Sequence, residues 1–234
     1  MELFLWILVI VLGYALGNLN GALLVSELFI HDDVRTHGSG NAGLTNFFRT
    51  YGGFLSLLVI VIDVGKTVLA CLIAQWLLGG YGWGLEAKMV AGVAAILGHS
   101  YPAASQFKGG KGILSGAAMA AAIDWRVFVI IFAIFVVTVA LTRYVSLGSV
   151  LSGLAFGVCF CCFHWGNWAV CALAVFAALF VTVRHRANIS RLFHHTESKL
   201  SFHHKRSKPC RLPCWEAAPG ARRWPTCSVK TGIR

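Results

Sequence analysis

The sequence predicts an all-α fold: a polytopic integral membrane helical bundle of about seven transmembrane helices. Three observations predict it. Of the 234 residues 57% are hydrophobic and only 12% charged, with a mean hydropathy of +0.71, outside the composition of soluble globular domains. The apolar residues fall into long runs separated by short polar or glycine-containing breaks, and lysine and arginine gather in alternate breaks rather than in all of them.

The first run, Leu3 to Leu24, is long enough to cross a hydrocarbon layer of roughly 30 Å as a helix. Glu2 precedes it where a secretory signal carries basic residues, so it reads as a retained span. Further spans are expected at Phe54–Leu78, Met89–Leu97, Ile113–Ile123, Val127–Leu141, Val145–Phe163 and Trp168–Val183. The third and fourth of these seven cover only about 15 Å at 1.5 Å per residue, so they need extension into their loops or burial in the bundle. Residues 1–200 form one membrane domain. Residues 201–234, rich in Arg, Pro, Trp and Cys, form a basic tail expected to be disordered.

With seven crossings, Arg35, Arg49, Lys108, Lys111, Arg143 and the twelve lysines and arginines from Arg184 onward share one face, leaving Lys88 and Arg126 on the other. Basic residues beside spans are retained in the cytoplasm, which predicts an external N-terminus and a cytoplasmic C-terminus. The formal net charge of +11 comes largely from the tail. Nucleic acid is not an expected partner, because those groups lie against anionic lipid headgroups. Cys71, Cys159, Cys161, Cys162 and Cys171 fall in apolar spans and read as small packing residues. Cys210 and Cys214 with His203 and His204 have a loose zinc-like spacing in a tail too polar to build a core around it. Asp63 and Lys66, three residues apart within a span, read first as a mutually neutralising pair, with a substrate role for Lys66 as the second reading.

Three polar islands reach the basic face. The first, "DVRTHGSGNAGLTNFFRTYGG", has a glycine-rich turn followed by Thr45, Asn46 and Arg49 at the start of a short helix, a combination that offers N–H groups, a hydroxyl and a guanidinium to one anion. It also reads as a flexible turn with a retained arginine. The second, "GHSYPAASQFKGGKGILSG", places Lys108 and Lys111 among Gly109, Gly110 and Gly112 just before a helix. The glycines permit close backbone approach, and the lysines supply countercharge for an anion such as phosphate. A nucleotide P-loop requires Ser or Thr after its Gly-Lys pair, and Gly112 stands there. The competing reading is two lysines reaching to headgroups. The third, "RHRANISRLFHHTESK", predicts an amphipathic helix on which His185, Asn188 and Arg191 share a face; such helices also serve as plain headgroup contacts.

Together these islands resemble the bacterial membrane acyl-phosphate:glycerol-3-phosphate acyltransferases of the PlsY type. The matching segments are "SGNAGLTNFFR" (residues 39–49), "GHSYPAASQFKGGKG" (residues 98–112) and "RHRANISRLFHHTESK" (residues 184–199). The likeness runs from about residue 5 to about residue 200. It implies an enzyme of phospholipid synthesis in the bacterial inner membrane, moving a fatty acyl group from acyl phosphate to the 1-hydroxyl of glycerol 3-phosphate without metal or cofactor, and giving lysophosphatidic acid. It further implies that His185, Asn188 and Lys111 act in catalysis. Ser39, Asn41, Gly43, Thr45, Asn46, Arg49, His99, Lys108, Gly109, Gly110, Gly112, Arg191 and Glu197 then bind substrate and its phosphates. Leu44, His195, "ILSG" after Gly112 and "GNLNGALL" near the first span depart from the family pattern.

No protein nucleophile is evident, so direct attack by the substrate hydroxyl is the simpler expectation. The proton acceptor is His185 or a substrate phosphate. No histidine is followed five positions later by aspartate, as in soluble glycerolipid acyltransferases, and no helix carries the several aspartates of a metal-dependent phosphatidyltransferase. The main competing class is a transporter or channel for a phosphorylated metabolite, which would carry its polar clusters near the midplane rather than at one interface.

Overall fold

The computed structural model describes residues 1–200; the tail expectations, including the Cys210–Cys214 site, lie outside them. The ten α-helices of the described residues begin with α1 (Glu2–Gly17), which stops short of the predicted span end. At the break the Asn20 side chain accepts a hydrogen bond from the Leu23 N–H at 3.1 Å, capping α2 (Gly21–Val25), which runs on as a π-turn over Ser26–Ile30. Then come α3 (Leu44–Tyr51), α4 (Leu55–Leu78) and α5 (Gly84–Ser100). α5 is longer at both ends than its apolar run, because Glu86 and Lys88 at one end and His99 and Ser100 at the other remain helical. α6 (Ile113–Ile123) keeps its predicted short length. It is followed by α7 (Trp125–Thr142), α8 (Val145–Phe163), α9 (Trp168–Arg184) and α10 (Arg186–Phe193), the last bent 57° from α9.

Four helical segments are long and apolar enough to cross a membrane, five if α9 and α10 count as one bent span; α6 is not among them. Exposed large side chains such as Trp76, Leu141 and Val158 stud the outer surface, as expected where hydrocarbon rather than water is the solvent.

Without a hydrophobic drive between helices in lipid, close backbone approach has to come from small residues. Gly13 and Gly17 of α1, four apart, meet Ala91, Ala95 and Gly98 of α5. A Cβ on Gly98 would strike the Tyr14 carbonyl oxygen and lie 2.9 Å from the Gly17 Cα. A larger core of Met89, Ile96, Met119, Ile131, Phe156, Phe160 and Val181 joins α5 to α9. A third cluster, Val25, Val34, Ala42, Phe47 and Val59, sits beneath the first island. Phe47, fully buried, anchors α3 and therefore the loop leading into it. At the far end of the bundle, the Asp124 carboxylate caps α7 by accepting the Arg126 N–H at 3.0 Å and also meets the Arg126 and His164 side chains. That cap turns the chain from α6 into α7 within one residue.

Candidate active site

The three islands meet at one end of the bundle, around a cavity of about 680 Å³. In the first island the buried Asn46 organises the loop: its Oδ1 accepts the Ser39 N–H at 2.9 Å, and its Nδ2 donates to the Val34 and His37 carbonyls at 3.0 Å each. Asn46 lines the cavity, but both its N–H hydrogens and one lone pair of its Oδ1 are committed to the loop backbone. Ser39, Asn41, Gly43 and Thr45 line the cavity beside it. Arg49 reaches in from α3 and donates to the Ser198 carbonyl at 3.0 Å.

In the second island, the Gly109 and Gly110 N–H groups donate to the Ser100 and His99 carbonyls at 3.2 and 3.0 Å. The Arg184 guanidinium donates to the Gly110 carbonyl at 2.9 Å and lies over the Tyr101 ring. Gly112, at φ +85°, turns the chain into α6, a conformation that glycine adopts without penalty. His99, Lys111 and Gly112 line the cavity; Lys108, Gly109 and Gly110 do not. Lys108 is exposed, while Gly109 and Gly110 are buried against α5. The bare backbone of this island is thus used largely for contact within the protein: a Cβ on Gly110 would strike His99 Nε2 and lie 2.9 Å from the Ala42 carbonyl oxygen.

The third island closes the site. The Lys111 ammonium donates to Asn188 Oδ1, Asn188 Nδ2 donates to Glu197 Oε1 at 2.9 Å, and Arg191 Nε donates to Glu197 Oε2 at 2.7 Å. Burial alone would push the Glu197 carboxyl up, but the hydrogen bonds from Asn188 and Arg191 outweigh it and hold the group below its ordinary value. Burial lowers Lys111 to about 8, with Glu197 opposing the shift and Arg191, Arg184 and Arg49 reinforcing it. His185 is lowered to about 4, first by burial and then by the Lys111 and Arg184 charges. Its Nδ1–H donates to the Val181 carbonyl at 2.8 Å, which leaves Nε2 with the lone pair.

Below this ring of polar groups the cavity turns apolar, lined by Ile96, Ile113, Met119, Ile131, Phe135 and Phe156 among others. On α8 the lining runs from Ser146 to Phe156, about 15 Å at 1.5 Å per residue. Ser146, Ser149 and Ser152 form a stripe into the cavity that the sequence reading did not single out. Its signal was present, since serine at every third position of an apolar helix marks one polar face. Asp63 was also missed as a lining residue, having been read only as the partner of Lys66.

A family model described as "Glycerol-3-phosphate acyltransferase" matches residues 7–195 of this chain. The chain belongs to the glycerol-3-phosphate acyltransferase family. Curated relatives agree. The glycerol-3-phosphate acyltransferase of Clostridioides difficile (strain 630) is 37% identical over 86% of this chain and 98% of its own. That of Thermoanaerobacter sp. (strain X514) is 35% identical over 83% of this chain and 95% of its own. Among solved structures, the integral membrane glycerol 3-phosphate acyltransferase PlsY in its glycerol 3-phosphate form superposes with a TM-score of 0.76 at 28% identity, covering 84% of this chain and 96% of PlsY. The lysophosphatidic acid form of PlsY gives a TM-score of 0.73, also at 28% identity, over 84% of this chain and 95% of PlsY. As a glycerol-3-phosphate acyltransferase family member the chain is a multi-pass integral membrane acyltransferase, and the fold class and family expected from its sequence hold.

Proposed function

We propose that this acyltransferase moves a fatty acyl group from acyl phosphate to the 1-hydroxyl of glycerol 3-phosphate and releases lysophosphatidic acid and inorganic phosphate. The observation that carries this reading is the two-part cavity: Arg49, Lys111 and Arg191 at its polar end, and an apolar arm between α6, α7, α8 and α9 leading away from them. Both substrates are phosphorylated and one carries a hydrocarbon chain, so a site with several cations above a greasy arm suits the pair. PlsY, solved with glycerol 3-phosphate and with lysophosphatidic acid, supports the acceptor and the product.

The acyl group is activated before it arrives, because phosphate leaves readily, and positioning and charge stabilisation supply the rate. Ser39, Arg49 and Lys111 hold phosphate oxygens; Asn188 and Arg191 orient the acceptor, with Glu197 fixing both. The 1-hydroxyl oxygen attacks the acyl carbon, the carbon–oxygen bond to phosphate breaks, and a hydroxyl proton has to leave. His185 Nε2 accepts the hydrogen bond from that hydroxyl and aims it. With His185 held near 4 by burial and cationic neighbours, the departing phosphate is the stronger base and keeps the proton. The islands face the cytoplasm and the N-terminus lies outside, following the basic-residue asymmetry. Lys108 acts from outside the cavity, drawing anionic headgroups or incoming phosphate toward the mouth.

Purified protein incubated with acyl phosphate and glycerol 3-phosphate should yield lysophosphatidic acid, and acyl-CoA in place of acyl phosphate should not. Equal turnover of acyl-CoA would overturn the donor assignment.

A further inference from the structure

At the wall of the cavity, where α1 breaks before α2, three buried polar side chains meet: Asp63 and Lys66 of α4 and His99 of α5, all at most 5% exposed. A self-neutralising pair needs only two of them. Lys66 Nζ lies 2.7 Å from Asp63 Oδ1, 2.8 Å from the Leu19 carbonyl oxygen and 3.0 Å from His99 Nδ1. A fourth contact, to the Gly17 carbonyl oxygen, is longer at 3.3 Å. An ammonium has hydrogens to donate and no lone pair, so at 3.0 Å from it the histidine nitrogen is the receiving partner. A second donor, Asn20 Nδ2, approaches the same Nδ1 at 3.5 Å. Asp63 Oδ1 is 3.4 Å from Nδ1, but it already accepts from Lys66 and from the Gly21 N–H at 3.0 Å. With donors converging on Nδ1, that nitrogen presents its lone pair and the ring hydrogen sits on Nε2.

That nitrogen occupies the space a Gly110 side chain would need, on a residue that lines the cavity. One turn earlier on α5 the lining residue is Ile96, so His99 stands where the polar ring gives way to the apolar arm. An acyl phosphate bound with its head among the cations and its chain in the arm has its carbonyl at that level. We propose that Asp63 and Lys66 are positioning residues of the acyltransferase: they hold His99 in its Nε2–H tautomer, and that N–H donates to the acyl carbonyl oxygen as it gains negative charge. The inference rests on the acyl-transfer reading for the identity of that oxygen, though not for the tautomer. It also gives the cavity two histidines of opposite sense, since His185 presents a lone pair. A fixed donor at a developing oxyanion contributes a large factor in rate.

The test has two arms on the full-length protein in lipid. Histidine 15N resonances report which ring nitrogen bears hydrogen, and the His99 signals are identified by their loss in His99→Gln. Neutral His99 with hydrogen on Nε2 is expected; hydrogen on Nδ1, or on both nitrogens at neutral pH, would overturn the proposal. In the second arm the charge-neutral variant Asp63→Asn/Lys66→Met is expected to lose more than tenfold in kcat for acyl transfer. In a His99→Ala background the same pair of changes should lose almost nothing further, because the pair acts through the ring. Equal fold-losses in the two backgrounds would reduce the pair to a structural one. His99→Gln, which keeps an amide N–H near the Nε2 position, should outperform His99→Ala, and equality of the two would count against the donor role. Protein that shows the Nε2–H tautomer yet does not turn over acyl phosphate would refute the reaction while upholding the arrangement.

Discussion

Lys111 links two islands through Asn188 Oδ1, and its charge is sensitive to its surroundings. Lys111→Ala should lower acyl transfer about a hundredfold or more, the scale for losing one charge-stabilising group, with little change in folding because the side chain lies at the cavity rather than in the apolar core. Lys111→Arg should recover only part, since a planar fork does not replace a compact ammonium. The ammonium is held at about 8 by burial, so it is charged below that pH and neutral above it. The kcat/KM profile should therefore fall as pH rises through about 8. Glu197 opposes the lowering, so Glu197→Gln should move that limb to lower pH; a limb that stays put would detach it from Lys111. At this scale residue types were legible and their tasks less so. Asn46 sits inside a ligand-like motif, yet its amide is bound up in the loop it shapes, and only the folded backbone shows where that amide points. Lys108 and Lys111 look equivalent in sequence, but the turn between them sends one to solvent and one to Asn188.

Helix positions followed from apolar runs because in a membrane each run is one element, and α6 and α8 have the bounds expected. Two features did not follow. The first run breaks at Asn18–Asn20, although hydrophobicity continues across it, because the freed Gly17 and Leu19 carbonyls find Lys66. α5 exceeds its apolar run because polar ends that face protein or interface cost a helix little. The glycines were read as openings for ligand, whereas several serve contact between elements. Gly110→Val should abolish most activity and also lower thermal stability, since the new side chain meets His99 and Ala42. Gly98→Val should lower the melting temperature in detergent, at a cost of about 1–3 kcal/mol for overpacking, because it forces α1 away from α5. An unchanged melting temperature would mean that this helix contact contributes nothing to stability.

For the whole molecule, the meeting of three islands at one end was predicted from charge asymmetry alone, and the cavity that they line lies at a common end of the bundle. Sequence did not reveal the depth of that cavity, because its apolar lining comes from five helices whose residues are individually unremarkable in a membrane protein. Cysteines introduced near Ser39 and near Lys111, on a background without native thiols, should label from the same side of a sealed vesicle, the cytoplasmic one; labelling from opposite sides would break the proposed topology. Truncation after residue 204 should leave acyl transfer intact in protein that inserts normally, since the family match ends at residue 195, and loss of turnover would assign the tail a role. The two-part cavity also bears on how the proposed reaction depends on its two substrates. In the proposed reaction glycerol 3-phosphate approaches through three-dimensional diffusion in water, while acyl phosphate and lysophosphatidic acid travel in the plane of the bilayer. Turnover should then follow the mole fraction of acyl phosphate among the lipids, falling when inert lipid is added at constant bulk donor concentration, so that the enzyme reads crowding within a surface instead of concentration in a volume.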